Sequence, residues 1–79
     1  MQTDNTGIDS LALNWREQRT AAGLTLRAAA RRASIDPAHL SRVERGRAQL
    51  SIQAAFRLAQ VLGLKQLAEV LGALLGTQS

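Results

Sequence analysis

Apolar residues recur at intervals of three and four along most of this 79-residue chain, and no stretch alternates apolar and polar positions in the manner of a strand. That spacing places the apolar side chains on one face of an α-helix. It predicts five short helices, over residues 10–22, about 25–33, about 36–45, 51–62 and about 65–75. We expect one compact all-α domain over residues 10–76, preceded by a flexible N-terminal tail over residues 1–9.

Residues that favour helix ends stand at the predicted boundaries. The predicted N-caps each offer a side-chain oxygen to a free backbone N–H, and they are Ser10, Thr25, Asp36 and Ser51. Pro37 follows in the first helical position, where its missing N–H costs nothing. Glycines that can end a helix follow the first, third and fourth segments, at Gly23, Gly46 and Gly63.

The third predicted helix has two unlike faces. On a helical projection Leu40 and Val43 point one way, and the opposite face carries Ala38, Ser41, Arg42 and Arg45. Between the second and third helices only Ser34 and Ile35 remain, so the two helices must turn sharply. This is the helix-turn-helix arrangement, in which the second helix of the pair lies in the DNA major groove.

The positive charge is concentrated in the middle of the chain. The net charge is +4, but residues 16–57 hold nine arginines against the three acids Glu17, Asp36 and Glu44. Guanidinium groups suit phosphates and guanine edges, so a polyanion is the natural partner. A solvated surface that happens to be rich in arginine is the other interpretation of the same pattern.

Several classes of function are disfavoured by what the sequence lacks. It has no cysteine and a single histidine, which leaves no disulfide, no thiolate nucleophile and no Cys/His metal site. It has neither a Gly-rich phosphate loop nor a plausible pair of catalytic carboxylates. We therefore expect no enzymatic activity, no cofactor, no metal and no small-molecule ligand. Without an apolar run of about 18 residues or a signal peptide, a cytoplasmic protein with no membrane contact is expected.

The segment LTLRAAARRASIDPAHLSRVERG, residues 24–46, combines several features at fixed spacing. A Gly-Leu-Thr sequence precedes the second helix, Leu40 to Gly46 spans most of the third, and Leu-Gly-Leu closes the fourth at residues 62–64. Together these features resemble the Xre family of helix-turn-helix regulators, which includes phage lambda repressor, Cro and the small controller proteins of restriction-modification systems. The resemblance covers about residues 11–64 and implies a five-helix, lambda-repressor-like domain that binds operator DNA as a two-fold dimer.

Two positions depart from that family's pattern. The family commonly has Gln at the position of Leu26, where the amide contacts the DNA backbone, and leucine cannot make that contact. It commonly has Gly in the turn where this chain has Ser34. The serine must therefore adopt a backbone conformation that costs it more than it would cost glycine, or the turn must shift slightly.

The predicted contacts to DNA come from the second and third helices. Arg42 is assigned to a base because Arg pairs bidentately with guanine, although a phosphate clamp is the alternative. Ala38 either contacts a thymine methyl group or is simply small enough to let the helix approach the DNA. His39 either donates a hydrogen bond to a phosphate or base, or is only an exposed residue. The predicted base-contacting residues are Ala38, His39, Ser41 and Arg42. The predicted phosphate-contacting residues are Arg27, Arg31, Arg45 and Arg47, of which the first two are equally compatible with plain solvated charge.

Glu44 lies on the packed side of the third helix in the projection, and a buried carboxylate must find a partner. The family resemblance implies that this partner is Arg19, late in the first helix. We assign the pair to structure. The only aromatic residues, Trp15 and Phe56, fall on apolar stripes and are assigned to the core.

The protein is predicted to form a homodimer through its fifth helix. Leu67, Leu71 and Leu74 make a stripe, and Leu64, Ala68 and Leu75 broaden it beyond what docking on so small a core requires. Val70 lies off this stripe and would otherwise face water. The alternative is a monomer whose fifth helix is buried against its own core. A two-fold dimer should bind a pseudo-palindromic operator with half-site centres about 34 Å apart.

The function predicted from all of this is sequence-specific binding of double-stranded DNA by a transcriptional regulator, with a repressor favoured. The third helix would read the major groove. The alternative is a protein-interaction module on the same fold, such as an antitoxin or adaptor, because a fold does not determine a function.

Overall fold

The computed structural model describes residues 15–78. These form α1 (Trp15–Ala21), α2 (Leu26–Ala33), α3 (Pro37–Glu44), α4 (Ile52–Val61) and α5 (Lys65–Gln78), and none of the described residues lies in a strand. The predicted all-α fold is confirmed. The predicted tail over residues 1–9 and the Ser10 cap lie outside the described residues.

The N-termini of α2, α3 and α4 are capped by side chains. Thr25 Oγ1 accepts from the Ala28 N–H at 3.0 Å, and Ser51 Oγ accepts from the Ala54 N–H at 3.0 Å. In α3, Asp36 Oδ2 accepts from the His39 N–H at 3.1 Å, and a proline occupies the first turn. Each cap satisfies a donor that the helix itself leaves unpaired. All three are the residues predicted from the sequence.

The last helix is longer than predicted. It was expected to end near Leu75, and it continues to Gln78. The helix continues through Gly76, because this glycine does not adopt the positive φ that Gly23, Gly46 and Gly63 adopt. Glycine ends a helix only where it takes the left-handed conformation.

The core lies where α2, α3 and α4 meet. Leu40 of α3 and Leu58 of α4 are its largest fully buried side chains. Around them the helices present small residues with no exposed surface, namely Ala29, Ala30, Ala33 and Ala59. Small residues let helix backbones approach closely, so a domain of this size reaches a dense core with few large side chains. The other face of α4 packs along α5.

The two aromatic residues differ in burial. Trp15 is buried, as predicted. Phe56 is only half-buried, and its ring lies between α4 and α5, where a Cβ placed on Gly72 would come within 3.2 Å of Phe56 Cε1. The prediction that Phe56 is a core residue is therefore only partly right. The ring covers a glycine on the next helix instead of filling the centre.

The turn between α2 and α3 is tight and carries backbone strain. Ser34 has φ 58° and ψ 45°, the left-handed conformation that costs an L-residue about 1 kcal/mol or more. The Ile35 N–H donates to the Ala30 carbonyl at 2.8 Å, and the Ile35 side chain is buried. The backbone strain expected at Ser34 is thus observed. Burial of Ile35 holds the turn in this conformation.

Candidate nucleic-acid interface

Helix α3 is anchored on one side and open on the other. Leu40 and Val43 are 0 % and 3 % exposed and fix the helix on the core. The opposite face carries exposed Ala38 and Arg42, with Ser41 half-buried at its edge. The two faces predicted from the sequence are confirmed by this burial pattern. An anchored helix with an open face can present side chains to a ligand without changing its own packing.

The arginines at and beyond the end of α3 are exposed donors. Arg42, Arg45 and Arg47 make no side-chain hydrogen bond or ion pair within residues 15–78. The chain turns back after α3 because Gly46 takes φ 77°, and the Arg47 N–H donates to the Arg42 carbonyl at 2.8 Å. This turn keeps Arg47 close to the helix end. Three exposed arginines with no side-chain partner among the described residues therefore lie at the end of α3 and just beyond it.

The arginines of α2 lie beside the start of α3. Arg27 and Arg31 are both exposed and line one shallow depression together with Ile35 and Pro37. They are neighbours on the same helical face, since they are four residues apart. The structure thus places the predicted phosphate contacts of α2 at one end of α3 and those of residues 45 and 47 at the other.

His39 has a partner within its own chain. Its Nε2 lies 3.1 Å from the Gln49 carbonyl oxygen, so Nε2 carries the proton and donates. The ring is half-buried and spans from α3 to the loop that follows it. Of the four residues predicted to contact bases, His39 is the one whose side chain the fold already uses.

Arg19 of α1 forms a two-pronged ion pair with Glu44 of α3. Arg19 Nε donates to Oε2 at 2.7 Å and Nη2 donates to Oε1 at 3.0 Å. Arg19 Nη1 also donates to the Leu24 carbonyl at 2.9 Å. The side chains are only 12 % and 5 % exposed. The negative charge of Glu44 is therefore paired within the domain.

Hydrogen bonding to Glu44 raises the pKa of the Arg19 guanidinium above its ordinary value. Burial lowers this pKa by a smaller amount, and attraction to the Glu44 charge raises it further. Arg19 therefore stays charged across the working pH range of a protein.

Arg57 is a structural residue that the sequence interpretation missed. Its Nε donates to the Ala33 carbonyl at 2.7 Å, and so α4 caps the C-terminus of α2 at the helix-turn-helix turn. Arg57 sits directly before Leu58 and three residues after Ala54, which are both buried. No signal in the sequence pointed to this bond, because charged residues commonly flank the apolar stripe of an amphipathic helix.

The described part of the chain offers no metal site and no membrane span. Within residues 15–78, no group of three His, Asp or Glu side chains lies close enough to hold a metal ion. None of the described helices is both long and apolar enough to cross a bilayer.

The helix-turn-helix geometry agrees with a comparison of the sequence with known families. The family model described as Helix-turn-helix matches residues 16–70, which include all of α2, α3 and α4. The chain belongs to the Xre and lambda repressor-like helix-turn-helix family. This is a family of DNA-binding regulators that are generally not enzymes. No curated protein and no solved structure matches the chain.

Proposed function

We propose that this helix-turn-helix protein is a sequence-specific regulator of transcription that reads the major groove of double-stranded DNA with α3. The observation that carries the proposal is the open face of α3. Arg42 stands on this exposed side of the helix, away from the buried anchors Leu40 and Val43, and its side chain has no partner within residues 15–78. A guanidinium held in this way can pair bidentately with a guanine edge, which is the commonest specific contact to DNA.

The residues of the site divide between bases and backbone. Ala38, Ser41 and Arg42 supply the surface that meets the base edges, with His39 at its border. The phosphate contacts come from Arg27 and Arg31 at one end of α3 and from Arg45 and Arg47 at the other. Contacts to phosphate at both ends set the position of a helix in the groove, and the contacts between them choose the sequence.

The protein acts as a homodimer through α5. Val70 and Leu74, four residues apart on this helix, are 58 % and 45 % exposed and are the exposed large hydrophobic side chains of the described residues. Leu67 and Leu71 instead pack on the core of the same chain. The contact between protomers is therefore centred on Val70 and Leu74. Leu67 and Leu71 contribute to the interface by packing between these residues and the core of the same chain. A two-fold dimer would bind a pseudo-palindromic operator and act as a repressor by occupying it in the cytoplasm.

The test is to select bound duplexes from a random DNA library and to measure affinity against salt concentration. We expect one pseudo-palindromic sequence to be enriched, with half-site centres about 34 Å apart. Affinity for random duplex should fall steeply with salt, because each phosphate contact releases counterions. A flat salt dependence and no enriched sequence would contradict the proposal and favour a protein-interaction module on this fold.

A further inference from the structure

A notch between α1 and α3 lies beside the proposed DNA-reading face. It has a volume of about 220 Å³ and is lined by Arg16, Arg19, Leu26, Ser41, Glu44 and Arg45. Ser41 and Arg45 belong to the face of α3 that is proposed to meet DNA, whereas Arg16 belongs to α1. The notch therefore extends that face onto a helix outside the helix-turn-helix pair.

The charge of the notch suits a single anionic group. Three guanidinium groups and one carboxylate line it, which leaves an excess of two positive charges. The carboxylate does not repel an anion strongly, because both oxygens of Glu44 accept hydrogen bonds from Arg19. Arg16 and Arg45 are exposed and have no side-chain partner within residues 15–78, so their donors are available. Arginine presents such donors in the geometry that a phosphate oxygen pair accepts.

The lining also explains why α1 would be needed. Leu26, the first residue of α2, forms part of the wall and has no polar side-chain atom to offer. A phosphate approaching the N-terminus of α2 therefore meets an apolar side chain there. The unpaired charged donors in the same notch are those of Arg16 and Arg45, which have no side-chain partner among the described residues.

We infer that this notch binds one phosphodiester group of the DNA backbone, with Arg16 as a phosphate contact supplied by α1. The inference rests on the proposed function, since it places one more group of the same ligand on the same face. Arg16 and Arg45 hold the phosphate from two sides. The bound strand thereby passes over the Arg19–Glu44 pair.

The experiment measures the affinity of the full chain for a random-sequence duplex at several salt concentrations. Arg16→Gln should lower the slope of log affinity against log salt by about 0.9, the value for one lost phosphate contact. Lys65→Gln is the matched control, because it removes one exposed positive charge that lines a different groove, between α4 and α5. It should change the slope much less. Equal slopes for Arg16→Gln and Lys65→Gln would overturn the inference.

A second variant tests the explanation based on Leu26. Adding Leu26→Gln to Arg16→Gln places an amide donor in the wall of the notch and should restore part of the lost affinity, whereas the salt slope should stay low because a neutral amide releases no counterion. No recovery would show that the phosphate does not pass Leu26. Arg16→Gln should leave the unfolding temperature unchanged, because the Arg16 side chain has no partner among residues 15–78.

Two further outcomes separate the possible failures. If the affinity of the unaltered protein for random duplex does not fall steeply with salt, the proposed function is wrong. The inference about the notch then fails with it, because the notch would have no DNA phosphate to bind. Titration with inorganic phosphate, followed through the NMR signals of the arginine Nε–H groups, should show no saturable binding. Saturable binding that Arg16→Gln abolishes, with unchanged slopes on DNA, would instead assign the notch to a free anion and overturn the assignment to the DNA backbone.

Discussion

Arg57 and Ala33, 24 residues apart in the chain, are joined by a hydrogen bond of 2.7 Å from the arginine Nε to the main-chain carbonyl oxygen. The carbonyl belongs to the last residue of α2, whose C-terminus has no further helical N–H to pair with it. The positive charge also lies at the negative end of the helix dipole. One side chain of α4 thus pairs the carbonyl at which α2 ends and the turn to α3 begins.

Replacing Arg57 should destabilise the fold. Arg57→Met keeps the aliphatic stem and removes the donor, which should cost about 1–3 kcal/mol of the free energy of unfolding. Urea denaturation of both proteins measures this difference. Arg32→Met is the control, because Arg32 is exposed and has no side-chain partner within residues 15–78, so its replacement should change stability by less than about 0.5 kcal/mol. Equal effects of the two substitutions would show that the bond to Ala33 contributes nothing.

Relieving the strain at Ser34 should stabilise the protein. Ser34→Gly removes the side chain that resists φ 58°, and we expect a gain of up to about 1 kcal/mol and a rise of several degrees in the unfolding temperature. Gly63→Ser is the reverse substitution in the same backbone region, since Gly63 has φ 74° and a Cβ there would meet nothing within 4 Å. It should destabilise by a similar amount. Changes of the same sign in both variants would contradict a cause in backbone strain.

Arg19 and Glu44 should show strong energetic coupling. Arg19→Ala leaves a carboxylate that is 5 % exposed without its partner, which should cost about 3–5 kcal/mol if the site stays dry. The double mutant Arg19→Ala with Glu44→Gln should lose less than the sum of the two single losses. Thermal unfolding of the four proteins measures the coupling, and strictly additive losses would refute it. Because folding raises the pKa of Arg19, the part of this contribution that depends on the Arg19 charge is complete at neutral pH and is lost as the pH rises through the folded-state pKa of Arg19 in the strongly alkaline range.

The arginines of the reading face should differ in what they recognise. Arg42→Ala should cost about 1–3 kcal/mol of binding free energy on the selected operator and relax the preference at one base pair. Arg47→Ala should weaken binding to operator and random duplex alike, because a phosphate contact carries no sequence information. Binding measurements on both duplexes at one salt concentration make the comparison. A loss for Arg42→Ala that is equal on both would make Arg42 a backbone contact.

Charge placed on α5 should separate the protomers. Val70→Glu with Leu74→Glu should reduce the mass in light scattering to one chain, lower operator affinity and leave the helical circular dichroism signal unchanged. Gln60→Glu, on the exposed surface of α4, adds charge away from this face and should leave the mass as it was. If the unaltered protein is already a monomer at the concentration at which it occupies its operator, the dimer is wrong.

What the sequence could predict was local. The caps at Thr25, Asp36 and Ser51 act within three residues of themselves, so residue type and spacing were sufficient. The anchored face of α3 followed from helical periodicity in the same way. The bond between Arg57 and Ala33 could not be predicted, because it depends on how α4 crosses α2.

Other features also needed the packing of whole helices. The pattern on α5 grouped Leu67, Leu71 and Leu74, yet only the position of α5 on the core shows that Leu74 is left exposed. The acceptor of His39 lies ten residues further along, in a loop whose course no periodicity describes. Arg16 drew no attention in the sequence because its neighbours in the notch come from three different helices.

The bond from His39 to the Gln49 carbonyl has a consequence for the energetics of association. It fastens the segment after α3 at one end, while the Arg47 N–H holds the other end to the Arg42 carbonyl. The segment is therefore preorganised before any ligand arrives. Ordering a loop during association would reduce affinity, and here that conformational entropy is already lost when the chain folds. Arg47 can then meet a phosphate as part of the same rigid body that carries Arg42.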